Sequence, residues 1–151
     1  MADNKIETTQ TETKQYIVVQ IGSEKYGIDI RYVDNIVRMQ KITRVPKTQP
    51  YFIGVINLRG EIIPVMDLRK KLELAENEIT NATRIIIIKP EQSALLGLLV
   101  DEVREVVTLS EADVEKVAYE NGTEASPYVT GVGKYNETLI SLINISGIIA
   151  D

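Results

Sequence analysis

Gly54-Val55-Ile56-Asn57-Leu58-Arg59-Gly60-Glu61-Ile62-Ile63-Pro64-Val65-Met66-Asp67-Leu68 reads as a hydrophobic hairpin with a charged tip. Two apolar, β-branched runs, residues 52–58 and Glu61–Met66, flank Arg59-Gly60. Glycine reaches positive φ without steric penalty, so Arg59-Gly60 is expected to be a tight turn. Asp67 then caps a short helix predicted over Leu68–Leu74. These residues alone leave Arg59 open to two meanings. It is either a solvated charge on a core hairpin or a cation presented to a partner.

The flanking sequence repeats the pattern. Tyr16–Ile21 and Lys25–Ile28 alternate around Gly22-Ser23-Glu24 and predict a second hairpin. Ile30, Val33 and Val37 fall at i, i+3 and i+7 behind a capping Asp29, which predicts a short helix over residues 30–37. Pro46 and Pro50 bracket an extended loop. After a polar connection, Glu76–Thr83, the segments Arg84–Lys89, Ala94–Val100 and Val103–Thr108 read as strands. Residues 109–127 are acidic and mixed. Tyr128–Tyr135 and Thr138–Ile143 form a last predicted hairpin, and Asn144 caps a short helix, Ile145–Ile149. Residues 1–14 are polar and Thr-rich and read as a disordered tail. Val, Ile and Thr supply 48 of 151 residues, a composition that favours sheet. The expected class is mainly β: nine or ten short strands in a barrel or sandwich, with two or three short helices.

Composition removes several function classes. The chain has no His and no Cys. Triads, HExxH zinc sites, thiolate metal sites and His phosphorelay are therefore excluded. The net charge of −5 argues against a nucleic-acid binder. Residues 101–120 hold seven carboxylates and two basic residues, so they account for that whole excess. They read as a solvated face or as a contact for a basic partner. The first residues lack a basic and an apolar region, and no apolar run is long enough to span a bilayer, so a cytoplasmic protein without membrane insertion is expected. A small-ligand or carboxylate-dependent β-barrel protein remains the alternative, and it requires a deep pocket with converging acidic groups.

At the opening hairpin the sequence also resembles the CheW-like domain of bacterial chemotaxis. Tyr26-Gly27-Ile28-Asp29-Ile30 with Val33-Asp34-Asn35-Ile36 is similar to that family's early strand and helix. Thr43-Arg44-Val45-Pro46 is similar to its next loop, and Gly97-Leu98-Leu99-Val100-Asp101-Glu102-Val103 to its central strands. Tyr128-Val129-Thr130-Gly131-Val132-Gly133 and Leu142-Ile143-Asn144-Ile145 resemble its closing hairpin and helix. The likeness runs over about residues 15–150, and residues 15–151 are expected to form one domain of two β-barrel subdomains.

The resemblance implies two intertwined, SH3-like, five-stranded β-barrels and a non-catalytic chemotaxis adaptor. With no His and no room for a kinase or receiver module, the chain looks like a stand-alone coupling protein. The implied partners are the regulatory domain of the histidine kinase CheA and the cytoplasmic hairpin tip of chemoreceptors. No cofactor is implied. By motif, the implied receptor-binding residues are Val33, Asn35, Ile36, Gly54, Asn57, Arg59, Gly60, Gly97, Val103 and Val106. The implied kinase-binding residues are Ile42, Arg44, Val45, Tyr119 and Glu120. Asn35 departs from the family, many of whose members carry an acidic residue there. An apolar groove between the barrels would take the apolar stripe of a helix, and Arg59 would pair with a carboxylate.

Overall fold

The β-branched segments form strands almost wherever the alternation predicts them. The computed structural model describes residues 12–46, 49–74, 78–90, 94–116 and 127–149. Eleven strands lie among them: β1 Thr13–Ile21, β2 Glu24–Asp29, β3 Val33–Arg38, β4 Phe52–Leu58, β5 Glu61–Asp67, β6 Arg84–Ile88, β7 Leu96–Val100, β8 Glu102–Ser110, β9 Val114–Lys116, β10 Val129–Tyr135 and β11 Thr138–Ile143. Two short α-helices, α1 Leu68–Lys71 and α2 Ile145–Ile149, follow β5 and β11. One sheet has the order β3-β6-β7-β5-β4, the other β8-β1-β2-β11-β10-β9. The first closes through Thr43, whose N–H and C=O each bond Val55 at 2.8 Å. In the second, β8 bends through a 3-10 turn at Glu111–Asp113 and continues as β9 on the far side of β10. Both sheets are therefore small barrels, as expected, with the second counted as six strands because one is broken.

The two barrels follow one plan. Hairpin β6–β7 corresponds to β1–β2, and β4–β5 to β10–β11. The parallel join of β5 to β7 corresponds to that of β11 to β2. Edge strand β3 on β6 corresponds to β8 on β1, each with a bulge, around Asp34 and Arg104. The chain thus runs through the same strand plan twice, and each half lends its first hairpin to the other half's barrel. The repeat is visible in Pro50-Tyr51-Phe52-Ile53-Gly54-Val55 against Pro127-Tyr128-Val129-Thr130-Gly131-Val132. It recurs in Val33-x-x-Ile36-Val37 against Val103-x-x-Val106-Val107. The backbone N–H of Asp67 bonds Tyr51 O at 2.7 Å, and that of Asn144 bonds Tyr128 O at 2.8 Å.

Three apolar clusters hold this plan together. Ile56, Ile63, Val65, Ile85, Ile87 and Leu99 fill the first barrel. Val18, Val107, Leu109, Ile140 and Leu142 fill the second. A larger cluster lies between them and includes Ile17, Val19, Ile28, Met66, Ile86, Ile88, Leu98 and Ile148. The run Ile85–Ile88 is fully buried for this reason. Alternate residues face the barrel interior and the junction, so neither side of β6 meets water.

Several expectations change. The predicted helix over residues 30–37 is one 3-10 turn, Ile30–Tyr32, capped by Asp29 Oδ1 accepting the Arg31 N–H at 3.0 Å, and then strand β3. Val33 packs on the junction and Val37 in the barrel interior, which are opposite faces. The bulge at Asp34 shifts the phase so that Val33 and Ile36 share a face, and this mimics helical spacing. The predicted helix over 68–74 stops at Lys71 because Glu73 takes φ 60° and Leu74 N–H bonds Arg69 O at 2.7 Å, a left-handed C-cap. Strand β1 begins at Thr13, inside the expected tail, because Thr13 and Lys14 pair with Ser110 and Leu109. The rest of that tail, residues 1–11, lies outside the described residues. Strand β9 falls in the stretch read only as acidic and mixed.

Candidate helix-docking face and the junction beneath it

Arg59 (φ 55°) and Gly60 (φ 84°) form the expected tight turn between β4 and β5. Asn57 Oδ1 accepts the Gly60 N–H at 3.0 Å, so Asn57 holds the turn. Arg59 and Asn57 are exposed, and Arg59 makes no ion pair with a described residue. The guanidinium is therefore presented on a rigid support.

The four branched residues of the implied groove come together in two repeat-related pairs. Val33 and Val103 are half-buried against the same junction cluster. Ile36 and Val106 share their faces and are 37% and 49% exposed. Each pair has i, i+3 spacing on a bulged strand, and each borders the seam between the barrels. Asn35 is not part of that face. It pairs with Ile87, whose side chain fills the first barrel, and its Oδ1 accepts the Ile36 N–H at 2.8 Å. Gly54 and Gly97 are buried and offer no surface. Gly54, at φ 143°, lets the closing Thr43 bridge lie against β4; Gly97 lies under Ile85 and Val65.

Of the implied kinase-binding residues, Ile42 is half-buried and packs into the first barrel's interior. Arg44 and Val45 are exposed beside it, Val45 by 41%. Tyr119 and Glu120 lie outside the described residues.

Sequence reading missed the charged network at the junction. Asp67 Oδ1 accepts the Arg69 N–H at 3.0 Å and its Nε–H at 3.1 Å, while Oδ2 accepts Nη2–H at 3.1 Å. Arg69 Nη1 lies 3.6 Å from Asp101 Oδ1. Asp101 Oδ2 accepts the Gly22 N–H at 2.7 Å. Nearby, buried Lys71 places its Nζ 3.9 Å from the Tyr51 ring centre and 5.4 Å from that of Tyr128. Sequence alone marks Asp67 as a helix cap and Asp101 as part of an acidic run and of the central-strand motif, and neither reading joins the two. The available signal was an aspartate two residues before an arginine that an apolar pattern would bury.

Burial pushes the Asp29 carboxyl up, but the hydrogen bonds and charge of Arg31 outweigh it and hold it below the ordinary carboxylate range. Burial, with a hydrogen bond to Glu24, pushes the Tyr26 hydroxyl up to about 12. No group of three or more His, Cys, Asp or Glu among the described residues is placed to hold a metal ion.

The sequence model of the CheW-like domain matches residues 15–151. The chain belongs to the CheW-like domain family. It is 37% identical over 136 residues to the chemotaxis protein CheW of Bacillus subtilis (strain 168), covering 90% of this chain and 86% of that protein. It is 31% identical over 134 residues to the chemotaxis protein CheW of Thermotoga maritima, covering 87% and 85%. The crystal structure of the scaffolding protein TtCheW from Thermoanaerobacter tengcongensis superposes with a TM-score of 0.79 at 33% identity, covering 88% of this chain and 90% of that one. The mainly β, SH3-like fold expected from the resemblance is thus shared with a solved relative.

Proposed function

We propose that this chain is a non-catalytic chemotaxis adaptor that couples chemoreceptors to the histidine kinase CheA. The observation that carries this reading is a family match over nearly the whole chain, together with a solved relative titled a scaffolding protein. The receptor's helical hairpin tip lies across Val33, Ile36, Val103 and Val106, two half-buried and two exposed branched side chains that fit the apolar stripe of a helix. Arg59 pairs with a carboxylate of that helix. The kinase's regulatory domain meets the end of the first barrel at Arg44 and Val45, with Ile42 supporting the loop from inside, and the segment carrying Tyr119 and Glu120 completes the contact. Asn35, Gly54 and Gly97 support the docking face without touching the helix. The protein joins receptor clusters through these partners. No described helix is long and apolar enough to cross a membrane.

Coupling requires the adaptor to bind differently to the kinase's two activity states. The test is co-sedimentation with receptor-containing membranes, with and without the kinase. Adaptor recruitment lost in Arg59→Ala and kept in Val45→Asp, with direct binding of the kinase regulatory domain in solution kept in the first and lost in the second, supports the two-surface reading. Equal loss of both activities in both variants contradicts it. The alternative of a small-ligand-binding or carboxylate-dependent β-barrel protein is not favoured.

A further inference from the structure

The hydrophobic driving force between the barrels is non-directional, so directional contacts at the junction add orientation to what packing provides. Polar contacts among the described residues at the junction are directional. The Lys71 ammonium stands between Tyr51 and Tyr128, which precede β4 of one barrel and β10 of the other. To one side, Asp101 joins the two barrels. Its Oδ2 holds the β1–β2 turn at Gly22, and its Oδ1 faces Arg69 on α1, which Asp67 holds in turn. The Arg69, Asp67 and Asp101 side chains are 7%, 4% and 15% exposed, so the network is shielded from solvent.

The repeat-related positions on the other side carry no such join among the described residues. Arg31 replaces Asp101 and turns back onto Asp29 at 2.8 Å, with its side chain 65% exposed. Asn144 replaces Asp67 and bonds Pro127 O at 3.2 Å. Exposed Ser146 replaces Arg69. Among the described residues, the two halves are alike in plan but joined in this way on one side only.

We infer that Asp101 is a positioning residue that, through Arg69 and Gly22, latches the two barrels at one angle and so sets the spacing between the Val33–Ile36 and Val103–Val106 pairs. Asp101 sits immediately before β8, which carries Val103 and Val106, so its anchoring acts directly on one wall of the docking face. This inference rests on the docking face proposed above only for its functional consequence; the latch itself is testable alone.

The chain has no Cys, so Ile62→Cys and Leu139→Cys, exposed on one hairpin of each barrel, accept a pair of spin labels. Pulsed EPR then reads the barrel-to-barrel distance. The expected result is one narrow distribution for the parent, a distribution about twice as wide in Asp101→Ala, and an intermediate one in Asp101→Asn, which keeps an acceptor for Gly22. Glu102→Gln, the same charge loss one residue on, leaves the distribution unchanged. An unchanged distribution in folded Asp101→Ala overturns the latch. Where circular dichroism shows that Asp101→Ala does not fold, Asp101→Asn against Glu102→Gln decides on the same criterion.

The unlabelled variants are then titrated with a purified chemoreceptor cytoplasmic fragment. Asp101→Ala is expected to weaken binding about ten-fold, with Glu102→Gln unchanged. A widened distribution with parental affinity overturns the positioning role and leaves the latch. A parent that does not bind the fragment counts against the receptor reading, while the distance measurement still decides the latch.

Discussion

Gly54→Ala should damage the fold much more than the matching change at Gly131. Gly54 has φ 143°, a region that side-chain-bearing residues rarely adopt. An added Cβ would lie 2.7 Å from Ile42 Cγ2 and 2.9 Å from the Thr43 carbonyl carbon. The Thr43 backbone has no flexible end to move aside, so the bridge that closes the first barrel must open. That bridge is two backbone hydrogen bonds of 2.8 Å. Losing them costs roughly 0.5–1.5 kcal/mol each, and the strained φ adds roughly 1–3 kcal/mol. The expected loss is about 2–6 kcal/mol, which for a domain of this size lowers Tm by roughly 4–24 °C. At Gly131 the added Cβ meets Glu115 O at 2.9 Å and Val114 Cγ1 at 3.1 Å, without a left-handed φ. There the expected cost is about 1–2 kcal/mol. Thermal melting followed by circular dichroism measures both. A Gly54→Ala protein that melts as the parent does, or less stability lost there than in Gly131→Ala, would refute the reasoning.

Other changes separate core from surface. Ile86→Ala empties part of the junction cluster and should cost about 2–5 kcal/mol in chemical denaturation, whereas exposed Ile62→Ala should stay within about 0.5 kcal/mol. Arg59→Ala should leave Tm unchanged and abolish recruitment to receptor-containing membranes; a matching fall in Tm would place Arg59 in folding instead. Tyr26 has its hydroxyl raised to about 12. Its contribution to stability is therefore intact below the unfolded value near 10 and is lost as pH rises from there through about 12. Denaturation of Tyr26→Phe and parent across that window should show the parent losing stability faster, and parallel curves would contradict the assignment.

The strands and the central hairpin were legible because alternation and turn chemistry act locally. Asp67 and Asp29 were legible as caps for the same reason. The helix predicted over residues 30–37 failed where two effects coincide. A bulge at Asp34 gives a strand a three-residue spacing, and only the pairing of β3 with Ile85–Ile88 decides between strand and helix. The proposed docking face rests on a list of Val and Ile that the sequence offered, but their geometry was not legible there. The bulges put Val33 with Ile36 and Val103 with Val106, and turn Asn35 away. Gly54 and Gly97 carried the family motif into the interior, where it serves closure and packing. The internal repeat escaped notice because the hairpins are exchanged between halves and only short motifs keep their identity. The Asp67–Arg69–Asp101 network is assembled from three elements distant in sequence, so no local pattern announces it.

The central claim is that one chain holds two partners at once. Calorimetric titration of the purified protein into the CheA regulatory domain, repeated with a chemoreceptor cytoplasmic fragment and then with each partner presaturated, tests it most directly. The account predicts saturable one-to-one binding to each partner, with neither blocking the other. Binding to neither by a folded protein, or strict competition between the two, would contradict it.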